Sequence, residues 1–367
     1  MIIIKYFYFL IFYKLTTKLK FDSPVEYKLI LSKSKKLLIT YKSTIKVYNI
    51  KSLKLEAELK FDGVENIRNL YLLKSGLISV CTKSCIFLIE LNKDNTYKIV
   101  QKIEFPEKTE EQEFNHVIEL KNSNLCIASK NRIFIYELCD NNNINYRNLF
   151  FLEEDYIQHE SKKGYNESVI ELIYPEKNIE NKIAAYLSNV IRLSFWDLNT
   201  KKKINDTKNN FCNTYDNKDM FCLMNNGKYL LCACIDEAIK FYSTETCEHI
   251  KTLCDCCWHI SVLKLSENQI LSGGDWGAIT FYEFDFDNDE FKNENSYLDM
   301  ETTKNVEKKV DLVLPEVPEE SEDDEDNKEY YAHGKAINEI RRFGNTIISS
   351  SCYEKDTQSY VCLWNKE

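Results

Sequence analysis

Seven stretches of this chain share one pattern: IKVYNI (45–50), IFLIEL (86–91), IFIYEL (133–138), LSFWDL (193–198), IKFYST (239–244), ITFYEF (279–284) and VCLWNK (361–366). In each, apolar residues stand two apart, a large residue follows, and a small polar or acidic one comes next. The large residues are Tyr48, Ile89, Tyr136, Trp196, Tyr242, Tyr282 and Trp364, separated by 41, 47, 60, 46, 40 and 82 positions. The last interval contains an acidic segment, 285–329; without its 45 residues the spacing falls to 37. A period of this length marks a supersecondary unit that cannot bury its own apolar faces and must stack on copies of itself.

Each unit also carries an upstream apolar run, such as KKLLITY, SGLISVC, NLCIASK, KYLLCAC, NQILSGG or NTIISSS, with a few turn residues between the two runs. The unit therefore reads as strand, turn, strand, with another strand before it and often one after. A lone four-stranded sheet buries neither face well, whereas several arranged radially bury both. The expected fold is all-β: a seven-bladed β-propeller of four-stranded antiparallel blades. The chain of 367 residues, 44% hydrophobic and 13% aromatic, can fill such a core. It has only 9 Gly and 5 Pro, so Asn, Asp, Lys and Ser must form most turns.

These units resemble the WD-repeat family of β-propellers, over nearly the whole chain. The family's dipeptide stands as Trp196-Asp197 and, in altered form, as Trp364-Asn365; LSGGDWGAITFYE (271–283) and GKYLLCACIDEAIKFY (227–242) resemble its middle hairpin. The family often places an Asp in the hairpin turn six residues before the Trp. Asp236 holds that place relative to Tyr242, but Lys42, Lys83 and Lys130 hold it in the first three units. His333, four residues before Ile337, matches the family's upstream histidine. No unit carries the complete His, Asp, Ser and Trp tetrad, so the blades must rely on apolar packing.

The last unit ends at Glu367, with no room for a fourth strand. YKLTTKLKF (13–21) resembles the outer-strand segments SLKLEAELKF (52–61) and ETCEHIKTL (245–253), so the N-terminal segment is expected to close the ring as the missing strand. The propeller then spans 13–367, with 1–12 as an apolar N-terminal extension. That extension is interrupted by Lys5 and falls short of the roughly 20 apolar residues of a membrane-spanning helix. The acidic segment 285–329 holds 18 Asp or Glu against 5 Lys, and outside it the formal charge moves from −10 to +3. It reads as a disordered insertion between the outer strand of the sixth blade and the inner strand of the seventh.

Few residues invite a chemical role. Cys254, Cys256, Cys257 and His259 crowd into CDCCWH, but four ligands from six consecutive residues make a poor zinc tetrahedron. The fourteen cysteines, many inside apolar runs, read as buried free thiols of a cytoplasmic chain, with the nucleus equally compatible. Ser321, with Asp324 three residues on, resembles a casein kinase II acceptor site. Arg341-Arg342-Phe343-Gly344 invites comparison with the Phe-Arg-Arg-Gly motif of phosphoinositide-binding propellers, in a different order. Clustered basic residues of a nucleic-acid footprint, nucleotide loops, H-E-x-x-H pairs and nucleophile elbows are lacking.

The chain therefore reads as a non-catalytic scaffold or adaptor with no cofactor and no metal, whose partners are other proteins of a multi-protein complex. Neither nucleic acid nor a membrane is the expected partner. A phosphoinositide-binding propeller using Arg341 and Arg342 is one alternative. A ubiquitin-ligase substrate adaptor is another, although the Arg that often follows the dipeptide in that class is missing from WDLNTKKK (196–203).

Overall fold

The structure is a computed structural model. It describes residues 13–21, 28–31, 34–50, 52, 54–104, 116–129, 132–140, 144–153, 168–174, 179–187, 192–206, 220–234, 238–254, 259–274, 279–286, 297–299, 306–309, 337–343, 346–351 and 359–366. All regular structure among them is β, in seven sheets. Strand β1 (Tyr13–Phe21) belongs to the last of these. The first sheet holds β2 (Lys28–Leu31), β3 (Lys36–Tyr41), β4 (Thr44–Asn49) and β5 (Leu55–Lys60), and the second β6 (Ile67–Leu72), β7 (Ile78–Thr82), β8 (Cys85–Leu91) and β9 (Tyr97–Glu104). The third holds β10 (His116–Glu119), β11 (Leu125–Ser129), β12 (Arg132–Asp140) and β13 (Asn145–Glu153). The fourth holds β14 (Ser168–Tyr174), β15 (Ile179–Leu187), β16 (Arg192–Asp197) and β17 (Lys202–Asp206). Each runs antiparallel in chain order.

The recurring apolar pairs are the two middle strands of each sheet. Three of these strands are taken from water on both faces: β7 and β11 are buried along their whole length, as is β19 (Tyr229–Cys234) in the fifth sheet. The outer strands alternate instead, with β13 reading exposed, buried, exposed over most of its length. Neighbouring sheets share their apolar faces. Leu38, Val47 and Leu59 of the first pack with Ile67, Val80 and Ile89 of the second, and Ile86 and Leu88 of the second with Ile127 and Tyr136 of the third. These four sheets fall in one compact unit, Val25–Ile173 with Ile179–Phe211.

The other unit comprises Met1–Pro24, Tyr174–Asn178 and Cys212–Glu367. Its first sheet joins β18 (Phe221–Met224), β19, β20 (Ala238–Ser243) and β21 (His249–Cys254). The next joins β22 (His259–Lys264), β23 (Gln269–Gly274) and β24 (Ile279–Phe284). Strands β25 (Tyr297–Asp299) and β26 (Val306–Lys309) follow within the acidic segment. β25 adds a fifth strand parallel to β21, and β26 is the outer strand beside β24. This corrects the expectation of an insertion lying wholly beyond the outer strand: the outer strand of the sixth sheet is inside 285–329. Its VEKK sequence reads as a charged loop because an outer strand need bury little. Phe241, Tyr282, Phe284 and Phe286 form the aromatic core shared by these two sheets.

The last sheet is β27 (Ile337–Phe343), β28 (Thr346–Ser351) and β29 (Ser359–Lys366), completed by β1. β1 pairs antiparallel with β29 from Tyr13 opposite Lys366 to Phe21 opposite Ser359, the closure expected from the sequence.

Glycine scarcity has its structural counterpart. Non-glycine residues at positive φ include Asn95, Asn181, Asn225, Asn226, Lys35, Lys42, Lys201 and Ser123. Asn tolerates this region best, since its short side chain bonds locally. Lys42 (φ 51) turns the first hairpin at the place where the family often has Asp. Among the described residues no helix is long and apolar enough to cross a membrane.

Candidate functional site

Most of the large repeat positions whose side chains are described are taken from solvent. Ile89, Tyr136, Trp196, Tyr242 and Tyr282 are all buried, and Tyr48 is half-buried. Trp364 lies in β29 opposite Leu15. Tyr48 and Tyr136 have their phenol pKa raised, first by burial. The indole Nε1 of Trp196 has no hydrogen-bond partner among the described residues, consistent with a blade built without the family's polar tetrad. Asp197 works locally: its Oδ1 accepts the main-chain N–H of Asn199 at 2.8 Å and of Thr200 at 3.1 Å. Ser243 after Tyr242 and Asn49 after Tyr48 cap their turns in the same way. Asp236, His333 and Ser321 lie outside the described residues, as do Cys256 and Cys257, while Cys254 ends β21 and His259 opens β22.

Arg341 and Arg342 are adjacent on β27. Arg342 is exposed, and its Nη1 donates to the carbonyl of Leu265 at 3.3 Å. Six of the described thiols are free and buried, and Cys139 is free and exposed. Burial pushes the Cys222 thiol up to about 12 and the Cys81 thiol higher still, so neither is a nucleophile. Cys234 departs from the expectation of free thiols, being disulfide-bonded.

A cavity of about 390 Å³ opens at one end of the second and third sheets. Two equivalent turns form its rim. In the first, Leu73 N–H donates to Leu77 O and Gly76 N–H to Leu73 O; in the second, Leu120 N–H donates to Asn124 O and Ser123 N–H to Leu120 O. Gly76 (φ 90) and Ser123 (φ 66) take the same left-handed place. A Cβ at Gly76 would meet nothing within 4 Å, so the glycine answers to backbone conformation and not to space.

Glu119, at the end of β10, lies within the cavity lining and is only 7% exposed. The main-chain N–H of Ser75 donates to its Oε2 at 2.8 Å, tying the first turn to the neighbouring sheet. Ser75 is the one hydrogen-bond donor to Glu119 among the described residues. Leu120, Leu138, Ile144 and Tyr146 supply apolar wall, and Lys74 and Lys121 stand exposed at the rim. Tyr146 is fixed by Gln101 of β9. The glutamine Nε2 donates to the Tyr146 carbonyl at 2.8 Å, and the Tyr146 N–H donates to Gln101 Oε1 at 2.7 Å. Burial, and then the negative charge of Glu119, push the Tyr146 phenol up to about 12.

The cleft therefore offers a sheltered carboxylate, a neutral phenol and aliphatic walls. Among the described residues no group of three or more His, Cys, Asp or Glu side chains could hold a metal ion. Sequence reading passed over this site. LLKSG (72–76) and ELKNSN (119–124) are visibly alike, but Glu119 follows a short apolar run much as Glu90 and Glu137 do. Only the approach of the Ser75 turn from the next sheet sets it apart.

No family model matches the chain, and no curated protein matches it. Among solved structures, a chain in the crystal structure of a mitotic checkpoint complex superposes with a TM-score of 0.64 at 11% sequence identity. The match covers 96% of this chain and 91% of that one. At that identity the likeness speaks to the fold alone. Together with the antiparallel sheets it gives an all-β propeller whose blades fit the WD-repeat-like pattern.

Proposed function

We propose that this chain is a divergent seven-bladed WD-repeat propeller acting as a non-catalytic protein-interaction scaffold, and that the cleft at Glu119 docks an extended segment of a partner protein. The observation that carries this reading is the cleft itself: a preformed concavity framed by hydrogen-bonded turns, with mixed apolar and polar walls. Such sites lose little freedom on binding, because the sheets beneath have already ordered them. Turns held on a rigid scaffold are where recognition residues accumulate. The similar chain belongs to a complex, which accords with partners that are proteins. A cytoplasmic or nuclear setting suits the buried free thiols. A membrane-surface role is less favoured, since Arg342 already spends a donor on Leu265.

Affinity purification with quantitative mass spectrometry tests the proposal, using the full chain and an Ile144→Arg variant. Ile144 is half-buried in the cleft wall, and a long charged side chain there obstructs the cleft without emptying the core. The expected result is a stoichiometric partner set recovered by the wild type and reduced at least ten-fold in the variant, with equal thermal melting. Recovery unchanged by the substitution, or no specific partner with either protein, contradicts the reading.

A further inference from the structure

We infer that the cleft is a specificity pocket for a cationic side chain, a lysine or arginine of the docked segment, with Glu119 as its counter-ion. This rests on the docking role proposed above and names the chemistry of the partner.

The argument starts from the cost of a sheltered carboxylate. Glu119 is more than nine-tenths buried, yet among the described residues it receives one hydrogen bond, from the Ser75 amide. A buried carboxylate is expensive unless it is paired and its lone pairs are satisfied. Oε2 is served by Ser75, no second donor to the carboxylate stands among the described residues, and Glu119 lines a cavity with room for one. The surroundings suit a long basic side chain. Leu120, Leu138 and Ile144 can cover a methylene stem, as apolar surface does wherever such side chains lie along it. Tyr146, whose main chain is held by Gln101, also lines the cavity, and an aromatic ring attracts a cation.

Lys74 and Lys121 at the rim do not reverse this preference. Both are exposed, where water screens their charge, and both are engaged in interactions of their own. Coulomb attraction scales inversely with the local dielectric, so the sheltered carboxylate outweighs the two solvated amines for a charge that reaches the floor. An anion entering the same cavity would lie against Glu119.

The test uses four fluorescein-labelled pools of nine-residue peptides, mixed at every position except the centre. The centre is arginine, lysine, citrulline or norleucine. Binding to the full chain is read by anisotropy. The arginine and lysine pools are expected to bind at least ten-fold more tightly than the citrulline and norleucine pools. Glu119→Gln should erase that difference; its carboxamide oxygen can still accept the Ser75 N–H, so thermal melting should be unchanged. Equal binding of all four pools to the wild type would overturn the cationic pocket while leaving the docking cleft standing. A preference that survives in Glu119→Gln, or no binding by any pool, would overturn it as well.

Discussion

The residue after each large repeat position shows how local chemistry writes a sequence signature. Asp197, Ser243 and Asn49 accept main-chain N–H groups of the turn that leads to the outer strand. Small polar side chains are favoured there because they can bond backbone two or three residues on. That part of the dipeptide was legible; the fate of Trp196 was not, since the absence of an indole partner among the described residues depends on the neighbouring strands. A different residue gives this fold a pH dependence. His249 of β21 meets the Thr252 Oγ1 through Nε2 at 2.8 Å and lies edge-on to the Tyr242 ring. Its pKa is lowered from the ordinary 6.5, first by burial and then by the charge of Lys240, with Lys251 adding to the effect. The fold thus favours neutral imidazole, and the unfolded chain binds the proton more readily below pH 6.5. The contribution to stability is complete above that pH and is lost as pH falls through it toward the folded value. Urea unfolding of the wild type should weaken between about pH 7.5 and 5.5, and His249→Gln should weaken less over that window. An identical loss in both proteins would show that His249 does not carry it.

At the scale of elements, one irregularity recurs. Where the third strand of a sheet meets its outer strand, the register shifts by one residue at the large position. The extra residue is Glu56, Val100, Leu149, Ile204 and Ile250 in the first five sheets, opposite the steps Val47/Tyr48, Leu88/Ile89, Ile135/Tyr136, Phe195/Trp196 and Phe241/Tyr242. A bulge bends and twists the strand that carries it and blunts an edge against further pairing. β1 shows the same feature: Leu15 faces Trp364 and Thr17 faces Leu363, so Thr16 is the extra residue. The N-terminal strand is therefore an outer strand in detail as well as in position. Strand number and the middle strands were legible because period-two apolar runs are unambiguous when both faces are buried. β25 and β26 were not, because three- and four-residue strands in an acidic segment gain their pairing from the sheet they join. Deleting residues 1–22 should leave β29 unpaired on its outer side and cost several kcal/mol, at about 2–4 °C of melting temperature for each. An unchanged melting temperature would show that β1 contributes nothing to the fold.

At the scale of the molecule, the proposed function makes the sheets a support and the turns the working surface. Paired apolar faces make the middle strands rigid, while Lys74–Gly76 and Leu120–Ser123 are held by short hydrogen bonds at the sheet ends. The cleft they frame was hidden in the sequence because its parts are some 45 residues apart and belong to different sheets. The central claim is that a protein partner docks there without remodelling the scaffold. Hydrogen–deuterium exchange on the full chain, alone and in complex with a co-purified partner, tests it most directly. The account predicts slower exchange in the turns at 73–77 and 120–124 and around Tyr146, with β7 and β11 equally protected in both states. A bound partner that leaves those turns unchanged and protects residues elsewhere would contradict it.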